Sequence, residues 1–179
     1  MLPTILIAIA ALVVLFAIFV STRPSDFRIS RTGRISAPPD VVFENVNDLH
    51  KWEAWSPWAK MDPNAKNTFA GPFAGPGSSM EWNGNKKVGA GRMTIVDSRP
   101  NERIQIKLEF FKPFKATNIA EFTFKPEGSQ TSVTWTMSGK NNFMAKAVTM
   151  VMNCDKMIGG QFEQGLANLN SASRSPAKV

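Results

Sequence analysis

The segment RIQIKLEF, Arg103–Phe110, decides the fold of this chain. Its isoleucine, leucine and phenylalanine residues stand at every second position, with glutamine, lysine and glutamate between them. This alternation is typical of a strand with one apolar face and one solvated face. AEFTFK, Ala120–Lys125, and SVTWTMS, Ser132–Ser138, repeat it, and shorter examples surround Met80 and Met93. The sequence therefore predicts an antiparallel sheet.

Helical patterns stand on both sides of these strands. Phe27–Ser36 reads as a first strand, and two short helices follow it between Pro39 and Trp55. After the sheet, Phe143–Ala172 predicts one long helix. Its apolar stripe consists of Ala147, Val151, Cys154, Ile158, Phe162, Leu166 and Leu169. The order of one strand, two short helices, about six more strands and one long helix predicts an α+β fold with a curved sheet of about seven strands.

The N-terminal segment Leu2–Val20 has no charged residue. As a helix it would be roughly 28 Å long, close to the thickness of the hydrocarbon core of a bilayer. A signal peptide is the alternative, but the apolar run is long for one and no basic residue precedes it. We therefore expect a single-pass helix in the cell (inner) membrane. Arginines follow it closely from Arg23 to Arg34, which predicts that the rest of the chain is cytoplasmic.

These patterns divide the chain into four parts. We expect a transmembrane anchor at 1–22, a linker at 23–26, one globular domain at 27–172 and a flexible tail at 173–179. The domain is long enough to bury a sizeable core.

Three of the five tryptophans lie within KWEAWSPWAKMDP, Lys51–Pro63. They could close one end of the core. Trp55 and Trp58 could instead form the rim of a ligand cavity, since such pockets are often lined by aromatic side chains. Insertion into lipid is a third possibility. Stacking on nucleic acid fits poorly, because the immediate neighbours of Trp55 are not basic.

Several motifs together resemble one known superfamily. They are RISAPPDVVFENVNDLHKWEAWSPWAKMDP at 34–63, GNKKVGAGRMTI at 84–95, VTWTMSG at 133–139 and DKMIGGQFEQGLANL at 155–169. Over Phe27–Ala172 the chain resembles the SRPBCC superfamily, and more narrowly the bacterial polyketide cyclase/dehydrase and lipid transport proteins with an N-terminal anchor. The resemblance implies the helix-grip fold of START domains and birch-pollen allergens, with a hydrophobic cavity between sheet and long helix. It implies no shared catalytic residues.

The candidate ligand-binding residues follow from this implied cavity. On the strands they are Trp82, Met93, Phe110, Phe122, Trp135 and Met137, and on the long helix they are Met150, Asp155, Met157 and Phe162. An ordinary filled core would use the same residues, and periodicity does not distinguish the two. Asp155 flanks the apolar stripe, where burial would raise its pKa. The alternative is that Asp155 pairs with Lys156 or faces solvent.

The composition argues against several kinds of chemistry. The chain has one cysteine and one histidine, which exclude an intrachain disulfide and a Cys/His zinc site. His50 reads as a solvated residue at a helix start, and the chain has no tyrosine. We expect no catalytic residue, metal, cofactor or nucleic-acid partner. The predicted partner is a hydrophobic small molecule or lipid. A polyketide cyclase-like enzyme and an interaction module with a filled core are the alternatives, and the oligomeric state is left open.

Reporter fusions at Val179 test the predicted topology. A reporter active only in the cytoplasm should give a signal, because the arginines that follow the apolar segment favour the cytoplasmic side. The control is a reporter active only outside the cytoplasm, fused at the same position. Activity of the second reporter alone would show that the predicted orientation is wrong.

Overall fold

The structure is a computed structural model that describes residues 2–174, apart from the side chains of Leu2 and Val151. The helices are α1 (Leu2–Ser21), α2 (Pro39–Asn47), α3 (Trp52–Trp55), α4 (Pro57–Met61), α5 (Phe143–Val151) and α6 (Cys154–Arg174), with a 3-10 turn at Leu49–Lys51. The strands are β1 (Asp26–Ile35), β2 (Lys66–Ala70), β3 (Ser79–Asn83), β4 (Ala90–Arg99), β5 (Arg103–Lys112), β6 (Ala116–Glu127) and β7 (Gln130–Lys140).

The seven strands form one antiparallel sheet in the order β1-β7-β6-β5-β4-β3-β2. Asp26 pairs with Lys140 at the end of the sheet where β1 follows α1, which we call the α1 end. Ile35 pairs with Thr131 at the opposite end, which precedes α2 and which we call the α2 end. A register shift in β4 marks a bulge, a feature that bends a strand. The predicted α+β architecture, with a curved seven-stranded sheet and a long C-terminal helix, is confirmed.

Helix α1 stands apart from the domain over most of its length. Its side chains are almost all exposed, and by length and composition it suits a membrane span or a signal sequence. Within residues 2–174 it meets the domain near its C-terminal end, where Val20 is fully buried and α1 packs against α5.

The short helices α2 and α3 are tied together by tryptophans at the α2 end. Pro39 occupies the first turn of α2, where its missing N–H costs nothing. The carbonyls in the last turn of a helix lack intrahelical partners. The indole N–H of Trp52 donates to the carbonyl of Val46, and that of Trp55 donates to the carbonyl of Asn45. These two residues therefore hold the last turn of α2, and the core interpretation of both is confirmed by their burial.

The C-terminal segment forms two helices, so the prediction of one continuous helix from Phe143 is wrong. The side chain of Asn142 caps α5. The side chain of Asn153 accepts a hydrogen bond from the N–H of Lys156, which is the geometry of an N-cap and starts α6 afresh. Helix α6 ends at Arg174, beyond the predicted domain boundary, and Arg174 donates to the hydroxyl of Ser36. Residues 175–179 of the predicted tail lie outside the described residues.

Glycines let α6 approach the sheet closely. Gly159 faces the guanidinium of Arg31 on β1, and a Cβ there would clash with it. A Cβ on Gly165 would lie 2.7 Å from Cζ3 of Trp135, closer than real Cβ contacts allow. Gly160 faces open space. Close packing therefore offsets the unfavourable helix propensity at Gly159 and Gly165, whereas the structure gives no such reason for Gly160.

Alanine substitutions at two of these glycines should have opposite effects. Gly160→Ala should raise the free energy of unfolding by about 0.5–1 kcal/mol, because alanine favours a helix interior and meets no neighbour. Gly165→Ala gains the same propensity but forces Trp135 to move, and overpacking costs about 1–3 kcal/mol. Denaturant unfolding of the full chain in detergent measures both. Equal stabilisation by the two variants would mean that α6 does not press on Trp135.

Candidate ligand-binding face

An aromatic cluster fills the space between the sheet and α6. The ring of Trp135 stacks on that of Phe162 with 4.3 Å between centroids and 8° between planes. The ring of Phe122 lies 4.7 Å from Trp135 on the sheet. The members of the cluster are Trp52, Trp55, Trp58, Phe122, Trp135 and Phe162. Trp55 has no exposed surface, so the prediction that it forms a cavity rim is wrong, whereas Trp58 is half-buried.

The inner face of the sheet becomes more exposed towards the α1 end. Along β5, Ile104 and Ile106 are fully buried, whereas Leu108 and Phe110 keep exposed surface. On β1, Ile35 is fully buried at the α2 end, and Phe27 is half-buried at the α1 end. The apolar face is therefore closed at the α2 end and only partly covered at the α1 end. We call this partly covered region the open face.

The predicted ligand-binding residues fall into three groups. Trp82, Met93, Phe110 and Met137 lie on the inner face towards the α1 end, and the rings of Trp82 and Phe110 are 5.8 Å apart. Phe122, Trp135 and Phe162 belong to the aromatic cluster. The structure does not bring Met150 and Met157 to either group. Met150 lies on α5, which the break before α6 separates from the stripe, and Met157 lies on an exposed side of α6. Their side chains are 38% and 51% exposed.

Two hollows open to solvent lie at the α1 end. The first, about 440 Å³, is lined by the ends of β1, β6 and β7. The second, about 380 Å³, is lined by the end of β5 and the start of β6. Thr117 lines both. Neither hollow lies between the sheet and α6, where the aromatic cluster packs.

Two buried polar groups interrupt the apolar inner face. The indole N–H of Trp135 has no hydrogen-bond partner among the described residues. The amide of Asn118 is buried and makes only a long contact, 3.9 Å, with the sulfur of Met137. Sequence reasoning missed Asn118, because it began the β6 strand at Ala120. The same alternation, extended back by two residues, would have placed Asn118 on the inner face.

An arginine on β1 ties α6 to the sheet. Two guanidinium nitrogens of Arg31 donate to the carboxylate of Asp155, at 2.9 and 3.2 Å, and Nε donates to Glu163 at 2.8 Å. The hydrogen bond from Arg31 lowers the pKa of Asp155 below its ordinary value, and those to Asp155 and Glu163 raise the pKa of Arg31. The side chain of Asp155 is 62% exposed. The expected burial and raised pKa are therefore wrong, and the partner is Arg31 and not Lys156.

His50 makes more side-chain contacts than the solvated residue that the sequence suggested. Its ring stacks between those of Phe69 and Phe73, with centroid distances of 4.1 and 4.5 Å. Its Nδ1 lies 2.9 Å from the buried carboxylate of Asp48. Because β2 and the short helices meet here near the α2 end, His50 packs away from the open face.

Solved structures share this architecture at low sequence identity. A protein from Chromobacterium violaceum is 17% identical with a TM-score of 0.60, covering 86% of this chain and all of its own. One from Thermobifida fusca is 19% identical with a TM-score of 0.62, covering 82% and 92%. Ara h 8.0201 is 8% identical with a TM-score of 0.54, covering 82% and 99%. At this identity the likeness shows the fold alone. A search of curated proteins finds no match.

A family model described as polyketide cyclase/dehydrase and lipid transport matches residues 26–174. The chain belongs to this family. The family resemblance inferred from the sequence motifs is confirmed by this match. Membership in the polyketide cyclase/dehydrase and lipid transport family points to binding of hydrophobic ligands in general. It does not specify where on the fold a ligand binds.

The ion pair of Asp155 makes a pH-dependent contribution to stability. Asp155 has a lower pKa in the folded protein than in the unfolded chain, where its pKa is near 3.8. Such a carboxyl stabilises the fold when the pH is above the unfolded pKa, and this contribution disappears as the pH falls through the folded pKa. Asp155→Asn should therefore lower the free energy of unfolding at neutral pH and have progressively less effect in acid. Denaturant unfolding across this range measures it, with Glu53→Gln on the exposed side of α3 as the control. An effect of Asp155→Asn that persists unchanged in acid would contradict the role of its charge.

Proposed function

We propose that this protein is a membrane-anchored module that binds a hydrophobic small molecule or lipid on its open face. The observation that carries the proposal is the change in exposure along the sheet. Ile104 is fully buried, whereas Phe110, on the same face of the same strand, is not. A partly covered apolar face next to a closed core offers apolar area that a ligand can remove from water.

The anchor in this proposal is α1. Its 20 residues match the thickness of a bilayer core, and the chain after it begins with arginines. We place α1 in the inner membrane with the domain in the cytoplasm. The open face then lies at the end of the domain nearest the bilayer, because β1 begins at Asp26, shortly after α1 ends at Ser21.

The polar groups of the inner face indicate what kind of ligand would fit. A buried donor without an acceptor costs about 1–3 kcal/mol, so a ligand oxygen next to Trp135 Nε1 would be favourable. Trp58 partly covers this region, since its ring lies 5.7 Å from Trp135 and 6.3 Å from Phe162. Trp58 is half-buried, in contrast to Trp135, and is the cluster member that a ligand could displace. We therefore propose an apolar ligand with a hydrogen-bond acceptor, bound beside Trp58, Asn118 and the open face.

Adjacent phenylalanines on β5 provide a matched test. Phe110 lies on the inner face in contact with Trp82, whereas Phe111 is 40% exposed. Phe110→Ala should reduce the amount of lipid or other apolar molecule that remains bound to the purified full chain in native mass spectrometry. Phe111→Ala should leave it unchanged, because neighbouring residues of a strand point to opposite faces.

Two outcomes would contradict the proposal. One is a parent chain that carries no apolar molecule and takes up none from added lipid. The other is an equal loss of bound molecule in Phe110→Ala and Phe111→Ala, which would indicate lipid held around α1 and not on the open face.

A further inference from the structure

The α1 end carries a second apolar surface, distinct from the open face. On α5, Phe143, Met144 and Val148 are 45%, 59% and 42% exposed. Met152, just after α5, is 47% exposed, and Phe114, in the turn between β5 and β6, is 67% exposed. We call these five residues the docking surface. Large apolar side chains grouped at one end of a domain mark an interaction site.

This surface is continuous with α1. Helix α5 packs against α1, and Val20 is buried where they meet. The N–H of Asn141, just before α5, donates to the carbonyl of Ser25 in the linker at 2.8 Å. The residues between α1 and β1 can span at most about 14 Å. If α1 crosses a bilayer, α5 is therefore held at the surface of that bilayer.

The two hollows lie between the chain segment that precedes α5 and the turn that contains Phe114. Lys140, which ends β7 just before α5, lines the first hollow. Lys115, next to Phe114, lines the second, and Thr117 lines both. The two parts of the docking surface thus flank one continuous stretch of the α1 end.

Positive charge surrounds the docking surface. The connections at the α1 end and α5 carry Lys86, Lys87, Lys112, Lys115, Lys140 and Lys146. None of these takes part in an ion pair within residues 2–174. The carboxylates at this end are Asp26, Asp62, Glu81, Glu109 and Asp155. Three of them are already paired: Glu81 with Arg92, Glu109 with Lys107 and Asp155 with Arg31.

We infer that the docking surface lies against the anionic leaflet of the bilayer that holds α1. Apolar side chains with lysines around them suit the interface, where the rings and methionines enter the headgroup region and the ammonium groups meet lipid phosphates. This contact fixes the orientation of the domain and points the open face at the lipid. The inference rests on the proposed membrane span of α1, but it does not require that any ligand bind the open face.

Depth measurements on the full chain in anionic vesicles test the inference. In a Cys154→Ser background, an environment-sensitive fluorophore is attached to a single new cysteine. Met144→Cys and Phe114→Cys probe the docking surface, Ser129→Cys probes the α2 end, and Leu12→Cys probes α1. The fluorescence emission of labels at 144 and 114 should shift to shorter wavelength and be quenched by nitroxide-bearing lipids. The emission of the label at 129 should show neither effect and should be quenched by a soluble quencher.

Charge reversal provides a second readout. Lys115→Glu should reduce lipid quenching of the label at 144 in anionic vesicles, whereas Lys125→Glu, exposed on β6 towards the α2 end, should not. Quenching at 12 together with equal solvent exposure at 144, 114 and 129 would overturn the docking surface and leave the anchor intact, and would indicate a protein partner. Absence of lipid quenching at 12 would overturn the anchor and, with it, this inference.

Discussion

The contact between Trp135 and Phe162 governs the rest of the structure. One ring belongs to the middle of the sheet and the other to α6, and they stack face to face at 4.3 Å. Buried aromatic pairs of this kind contribute about 0.5–1.5 kcal/mol beyond the area they bury. The contact forms because Gly165 has no side chain to keep the helix away. Arg31 holds α6 in the same place from β1 through Asp155 and Glu163.

An asymmetric domain follows from this contact. Where α6, α2 and α3 meet the sheet, six aromatic side chains fill the core. Phe122 and Trp55 are completely buried there. Towards the α1 end the same apolar face extends further, and Phe27 and Phe110 remain partly exposed. Such a face is costly in water unless a ligand or another surface covers it. The exposed apolar side chains of α5, the lysines that form no ion pair among the described residues and the anchor helix all lie at this same end of the molecule.

Family membership and local geometry support different parts of the functional conclusion. The match over residues 26–174 points to hydrophobic ligands in general. The exposure of the inner face of the sheet is the basis for our proposal of where on this chain such a ligand binds. The filled aromatic cluster leaves the open face and the side of the cluster that Trp58 covers as the candidate site, and the buried Trp135 N–H and Asn118 add a polar requirement.

The sequence by itself determined six of the seven strands, the apolar face of the sheet, the apolar N-terminal helix and the family, but it did not locate β2. Period-two alternation shows directly which side chains share a face, so it placed Trp82, Phe110 and Trp135 on the apolar face of the sheet. Only the tertiary structure decided what covers that face. It placed Met150 outside the core by a break at Asn153 and Met157 on an exposed side of α6. It also paired Arg31 with Asp155, 124 residues away, and closed one end of the face while leaving the other open. The physical reason is that periodicity is a local property, whereas the covering of a face depends on contacts between residues far apart in the chain.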